Sequence, residues 1–244
     1  MRTLPIRLNP DPLVSSTVEL RFEPLLDRKA VIGAIYYKLR DQFPVLKPLV
    51  PEELPEALRV ADPEFGYRPQ FRASNEQFLV YLGEQSITVG VVGTYPGWSA
   101  FSTAIQDVIH QVHSLNVFGR IQRLGLRYVS FFEGNAFPGL KLTLGLPGYD
   151  GVQLPSSILL RIPAQGCEHT LQLANFIAQS QASGKPGVED RIGTVIDIDT
   201  VPHQELTDFF VRPAYWLDSL HEAEKTLFYS LLTDDFLQAL NPEY

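Results

Sequence analysis

From Arg120 to Thr200 the chain offers one strand-like run after another with nothing of helical length between them. No other feature restricts the fold as much. Residues 120–132 alternate, with Leu124, Leu126 and Tyr128 on one face and Arg123, Arg127 and Val129 on the other. Runs at 140–146, 157–162, 168–178 and 190–200 follow, parted by Gly/Pro/Ser turns at 147–156 and 163–166 and by a polar hairpin tip at 179–189. Parallel pairing requires a crossover of about a dozen residues or more, usually helical, between partners. These connections lack that pattern, so the pairing is predicted to be antiparallel.

The first half adds two strand–helix alternations. Val18, Leu20 and Phe22 alternate with Glu19 and Arg21, and Pro24 closes that strand. Asp27 is placed to cap a helix reaching about residue 42, with Ala30, Val31, Ala34, Ile35 and Leu39 as its apolar stripe. The prolines of residues 44–69 forbid regular strand pairing there and leave room for only a short helix at 52–58. A hairpin at 77–82 and 86–92 precedes a second helix, capped by Ser99 or Ser102 and carrying Phe101, Ile105, Val108, Ile109 and Val112. The C-terminal helix starts near Ala214 and presents Trp216, Leu217, Leu220, Ala223, Leu227, Phe228 and Leu231; Thr233 caps a last short turn. The predicted class is α+β, with largely antiparallel sheet packed by long amphipathic helices. It is expected as a single domain over 1–244, whose sub-halves 1–134 and 135–244 are two related halves sharing one core.

Charge and composition narrow the function. Twenty basic residues stand against 28 acidic ones, a net charge of -8, so most of the surface repels phosphate and nucleic acid is a disfavoured partner. Cys167 is the sole cysteine, which excludes an intramolecular disulfide and a cysteine-rich zinc site. No apolar run approaches the roughly 20 residues of a membrane helix, and the opening Met1-Arg2-Thr3-Leu4-Pro5 does not read as a signal peptide. The expected location is cytoplasmic, with no membrane association.

Two constellations carry chemistry. Arg120, Arg123 and Arg127 lie on one strand with Tyr128, Phe131 and Phe132. Arg123 and Arg127 flank Gly125 on a single face, where two guanidinium forks can clamp a phosphate or carboxylate while Tyr128 stacks on a ring. In an acidic chain the competing arrangement is an ion pair with Asp197 or Asp199. Asp197-Ile198-Asp199 itself has the spacing of two carboxylates sharing a hard cation, against the plainer alternative of a solvated acidic strand face. Other signals are weak. His110 and His113 lack a third zinc ligand, Gly184-Lys185 is not a phosphate loop, no Gly-x-Ser-x-Gly elbow occurs, and Cys167 stands beside Glu168, which would raise its pKa.

Three segments point to a family. Val18-Glu19-Leu20-Arg21-Phe22 after an Asn-Pro, Arg123-Leu124-Gly125-Leu126-Arg127-Tyr128, and Leu220-His221-Glu222-x-x-Lys225-x-Leu227-Phe228 with Leu232-Thr233-Asp234 all resemble a sporadically distributed bacterial family of similar length without an assigned activity. The resemblance implies one unit spanning nearly the whole chain and supplies no catalytic residues. Its patchy distribution is that of genes travelling with mobile elements or defence systems. The chain is therefore expected to be a non-enzymatic binding protein with a protein partner and no cofactor. The alternative is a phosphate-ligand or nucleic-acid processing enzyme, using Arg123 and Arg127 as clamp and Asp197 and Asp199 as metal ligands.

Overall fold

The computed structural model describes residues 3–49, 65–179 and 191–244. Within them, β1 (Leu13–Pro24), α1 (Arg28–Leu39), β2 (Val45–Pro48), β3 (Phe71–Ser74), β4 (Phe78–Leu82) and β5 (Ser86–Val91) come first. A helix, α2 (Trp98–His113), leads into the longest strand, β6 (Phe118–Glu133). Two-residue strands β7 (Gly145–Leu146) and β8 (Tyr149–Asp150) form a small hairpin. Then come β9 (Ser157–Ala164), β10 (Cys167–Gln179), β11 (Arg191–Pro202), α3 (Pro213–Leu231) and α4 (Asp234–Ala239). The other nine strands form one sheet in the order β2-β3-β4-β5-β1-β6-β11-β10-β9. It is antiparallel, with Thr17 opposite Gly90 across β1 and β5, and Cys167 opposite Ala164 across β10 and β9. Among the described residues no helix is long and apolar enough to cross a membrane.

The chain divides into two compact units. Unit I takes Met1–Ser15, Arg127–Thr200 and His221–Tyr244; unit II takes Ser16–Leu126 and Val201–Leu220.

Unit II is built on the alternation of β1, whose Val18, Leu20 and Phe22 are all buried. The Phe22 ring meets Phe118 edge-on at 4.7 Å, a favoured aromatic geometry. On α1, Val31, Ile35 and Leu39 are fully buried while Ala30 is exposed, a narrower stripe than expected. Asp27 caps this helix, its carboxylate accepting the Lys29 N–H at 3.0 Å. Phe101, Ile105, Val108 and Val112 form the buried face of α2. Neither Ser99 nor Ser102 caps that helix. It starts directly after Gly97, whose φ of 91° turns the chain without a side-chain cap, and Ser102 is buried, its hydroxyl accepting from Gln106 at 3.0 Å.

Unit I packs Phe132, Phe137, Leu140, Leu171, Leu173, Ile196, Ile198, Leu232 and Leu237 into one core, with Leu8 from its first segment. Arg7 and Glu243 are joined twice, through an antiparallel bridge and through a side-chain fork whose shorter arm is 2.7 Å. Thr233 caps α4, accepting from the Phe236 N–H at 3.2 Å.

Two further expectations are corrected. Strand pairing does occur among the prolines: β2 pairs with β3, with Pro48 as the last strand residue opposite Phe71. An edge strand tolerates proline because its outward N–H is not needed. The expected strand at 140–146 is mostly irregular. Pro138 lies in a 3₁₀ turn, Phe137–Gly139, and only an isolated bridge from Leu140 to Leu232 and the β7 residues pair. The helix expected at 52–58 and the hairpin tip beyond Gln179 lie outside the described residues.

Candidate functional site

On β1, Glu19 and Arg21 are two residues apart and so share a strand face. Arg21 Nε donates to Glu19 Oε2 at 2.9 Å, and Arg123 on β6 donates from Nη1 to that same oxygen. One carboxylate thus fixes two guanidinium groups. The Arg123 and Glu19 side chains are only 23% and 22% exposed, so this pair is less screened than a surface salt bridge. Gly125 explains how Arg123 reaches its position. A Cβ at residue 125 would collide with the guanidinium, so the bare backbone is what the side chain lies against.

Tyr67 closes the short 3₁₀ turn Phe65–Tyr67. The Arg21 guanidinium carbon sits 4.6 Å from its ring centroid, a cation–π contact, and its hydroxyl donates to Gln122 Oε1 at 2.7 Å. Beyond β11 the chain turns through residues 203–210 to Phe210. That ring stacks on His113 at 4.1 Å and on Phe118 at 5.2 Å. Arg21, Tyr67, Arg120, Gln122, Arg123 and Phe210, with residues 201–207, line a cleft of about 690 Å³, and every lining residue belongs to unit II. Its volume is in the range of small-molecule sites. Arg120 is exposed and has no carboxylate partner among the described residues.

Of the residues singled out from sequence, Arg120 and Arg123 line this cleft. Arg127 belongs to unit I and forms a two-armed fork with Asp197, Nε to Oδ1 at 2.8 Å and Nη2 to Oδ2 at 2.5 Å. Asp197 is 9% exposed on β11, and Asp199, two residues on, is half-buried. Among the described residues no group of three or more His, Cys, Asp or Glu is arranged to hold a metal. Tyr128, also in unit I, is buried with its hydroxyl 3.2 Å from His221 Nδ1. Burial, with help from Lys225, lowers the His221 pKa to about 4, so the ring is neutral and shares a hydrogen bond with the tyrosine hydroxyl. Glu224, three residues further along α3, is buried, and burial raises its carboxyl to about 8. The Cys167 thiol is pushed up by burial rather than by Glu168.

Sequence spacing did not single out Glu19, Arg21, Tyr67, Gln122 or Phe210 as site residues. The available signal was Glu19-x-Arg21, opposite charges at the two-residue spacing that puts them on one strand face. No protein-family model matches the chain, and no curated protein matches it.

Proposed function

We propose that the protein is a non-enzymatic binding protein whose unit II cleft takes a small anionic molecule. One observation carries this: three guanidinium groups, Arg21, Arg120 and Arg123, line a single cleft in a chain of net charge -8. Glu19, and Glu205 on the cleft lining, account for part of that charge, while Arg120 makes no ion pair with a carboxylate among the described residues. A low-dielectric cleft wall strengthens the attraction of such groups for an anion.

Binding is favoured over catalysis because His203, on the cleft wall, makes no hydrogen bond to a carboxylate or hydroxyl among the described residues. A base for catalysis is ordinarily oriented by such a partner. The alternative of a metal-dependent phosphate enzyme has less support. Asp197 is held on both oxygens by Arg127, and that fork would have to open before a cation could use it.

Calorimetric titration with inorganic phosphate at low salt tests the proposal. Wild type should bind it, with affinity falling as salt screens the cleft, and Arg120→Met should weaken binding about tenfold, the loss of one charge-assisted hydrogen bond. Binding that Arg120→Met leaves unchanged would place the anion elsewhere, and no binding at all would remove the proposal.

A further inference from the structure

Resting on that proposal, we infer the ligand's class: a free phosphate monoester of a planar heterocycle, of mononucleotide size. The cleft offers two kinds of wall, and Arg123 on the first and both rings of the second are held before any ligand arrives.

The first wall is cationic. Arg123 is held by Glu19 and seated on Gly125, so its guanidinium plane is set in advance. Arg120 lies three residues earlier on the same strand and lines the same cleft. Planar guanidinium forks match phosphate oxygens in a two-armed geometry that a lysine cannot reproduce. A phosphate monoester brings about -1.5 to -2 charge and three acceptor oxygens, enough to engage more than one arginine at once.

The second wall is aromatic. Tyr67 is clamped from two sides, by the Arg21 guanidinium on its ring and by its hydroxyl on Gln122. Phe210 is locked by stacking on His113 and Phe118. Rings immobilised in the free protein cost little entropy when a flat ligand packs on them. Gln122 adds polarity at this wall. Its carbonyl oxygen is taken by Tyr67, which leaves its amide N–H groups to meet a ring acceptor. A bare inorganic anion uses only the first wall, and an uncharged nucleoside only the second.

The volume and the charge select a free small molecule over a polymer. About 690 Å³ accommodates a mononucleotide whole. A longer strand would have to cross the surface of a chain with eight more acidic than basic residues.

The test is a competition titration of the full-length protein at low salt. The probes are AMP, GMP, CMP and UMP, inorganic phosphate, the corresponding nucleosides, and a 5′-phosphorylated octanucleotide. At least one mononucleotide should bind about tenfold or more tighter than inorganic phosphate and than its own nucleoside. Arg120→Met should weaken that mononucleotide about tenfold, and Phe210→Leu should weaken it while leaving inorganic phosphate unchanged. If inorganic phosphate binds as tightly as every mononucleotide, the ring half of the inference is overturned while the anion cleft stands. If the octanucleotide binds tighter than every mononucleotide, the free small molecule is overturned. If neither phosphate nor mononucleotide responds to Arg120→Met, the cleft itself is wrongly assigned.

Discussion

Glu224 is 4% exposed on α3, and its carboxyl is raised by burial from the ordinary 4.5 to about 8. Between those two values the folded chain keeps a proton that the unfolded chain gives up. Stability therefore falls as pH rises from about 4.5 to about 8 and levels off above that. At about 1.4 kcal/mol per pH unit, the whole effect is on the order of 4–5 kcal/mol. His221 acts with the opposite sign: lowered from 6.5 to about 4, it removes stability as pH falls through that interval. Glu224→Gln should raise the melting temperature at pH 8, and the gain should shrink towards zero near pH 4.5. An equal shift at both pH values would mean the carboxyl is not titrating as described. Arg127→Met gives a second residue-level expectation. It strands Asp197 without its fork, and because Arg127 is 54% exposed, water compensates in part, so the loss should be about 1–2 kcal/mol by denaturant midpoint. Anion affinity should not change, since Arg127 does not line the cleft. Period-two alternation was enough to place Arg123 and Arg127 on one strand face and to name carboxylates as their competing partners. It could not name Glu19, which is 104 residues from Arg123, because the partner is chosen by strand order rather than by spacing.

Elements with strong periodicity were legible for a physical reason: the repeat that buries one face also fixes the hydrogen-bonding pattern. β1, α2, β6, β10, β11 and α3 belong here. Residues 140–146 show the converse. Leu140, Leu142 and Leu144 do pack on the unit I core, but they do so mostly without a ladder partner, so alternation reported burial and not pairing. β2 was missed because proline density was weighed without regard to its edge position. Trp216, at the start of α3, is 4% exposed, and its indole N–H donates to Asp208 at 2.8 Å. Trp216→Ala should cost about 3–5 kcal/mol, read as a fall in the unfolding midpoint; a near-normal midpoint would show that the indole does not anchor the helix. The two edge strands differ in kind. β2 is four residues long and carries Lys47 and Pro48, both of which discourage further pairing. β9 is eight residues long with Leu159 65% and Leu160 42% exposed. Leu159→Lys should reduce concentration-dependent association in sedimentation, without lowering the melting temperature by more than about 1 °C; unchanged association would mean this edge is already guarded.

At the scale of the whole chain, neither unit is a continuous stretch. The backbone passes between them at 15/16, 126/127, 200/201 and 220/221. A cut at 134/135 therefore removes Leu8 and Phe132 from the unit I core and residues 201–220 from unit II. Neither fragment should give a cooperative unfolding transition alone; a folded 135–244 fragment would contradict this. The net charge of -8 was legible at once and makes polymeric nucleic acid a disfavoured expectation, yet it hid a local concentration of arginine. Total charge constrains a surface on average, while a cleft is set by which few side chains the topology gathers. The direct test of the anion cleft is a titration of ¹⁵N-labelled protein with mononucleotide, following the arginine Nε–H signals. The expected result is a saturable shift of Arg120 and Arg123, with Arg127 unmoved on its Asp197 fork. A shift of Arg127 with Arg120 and Arg123 still, or no saturable shift of any arginine, would contradict it.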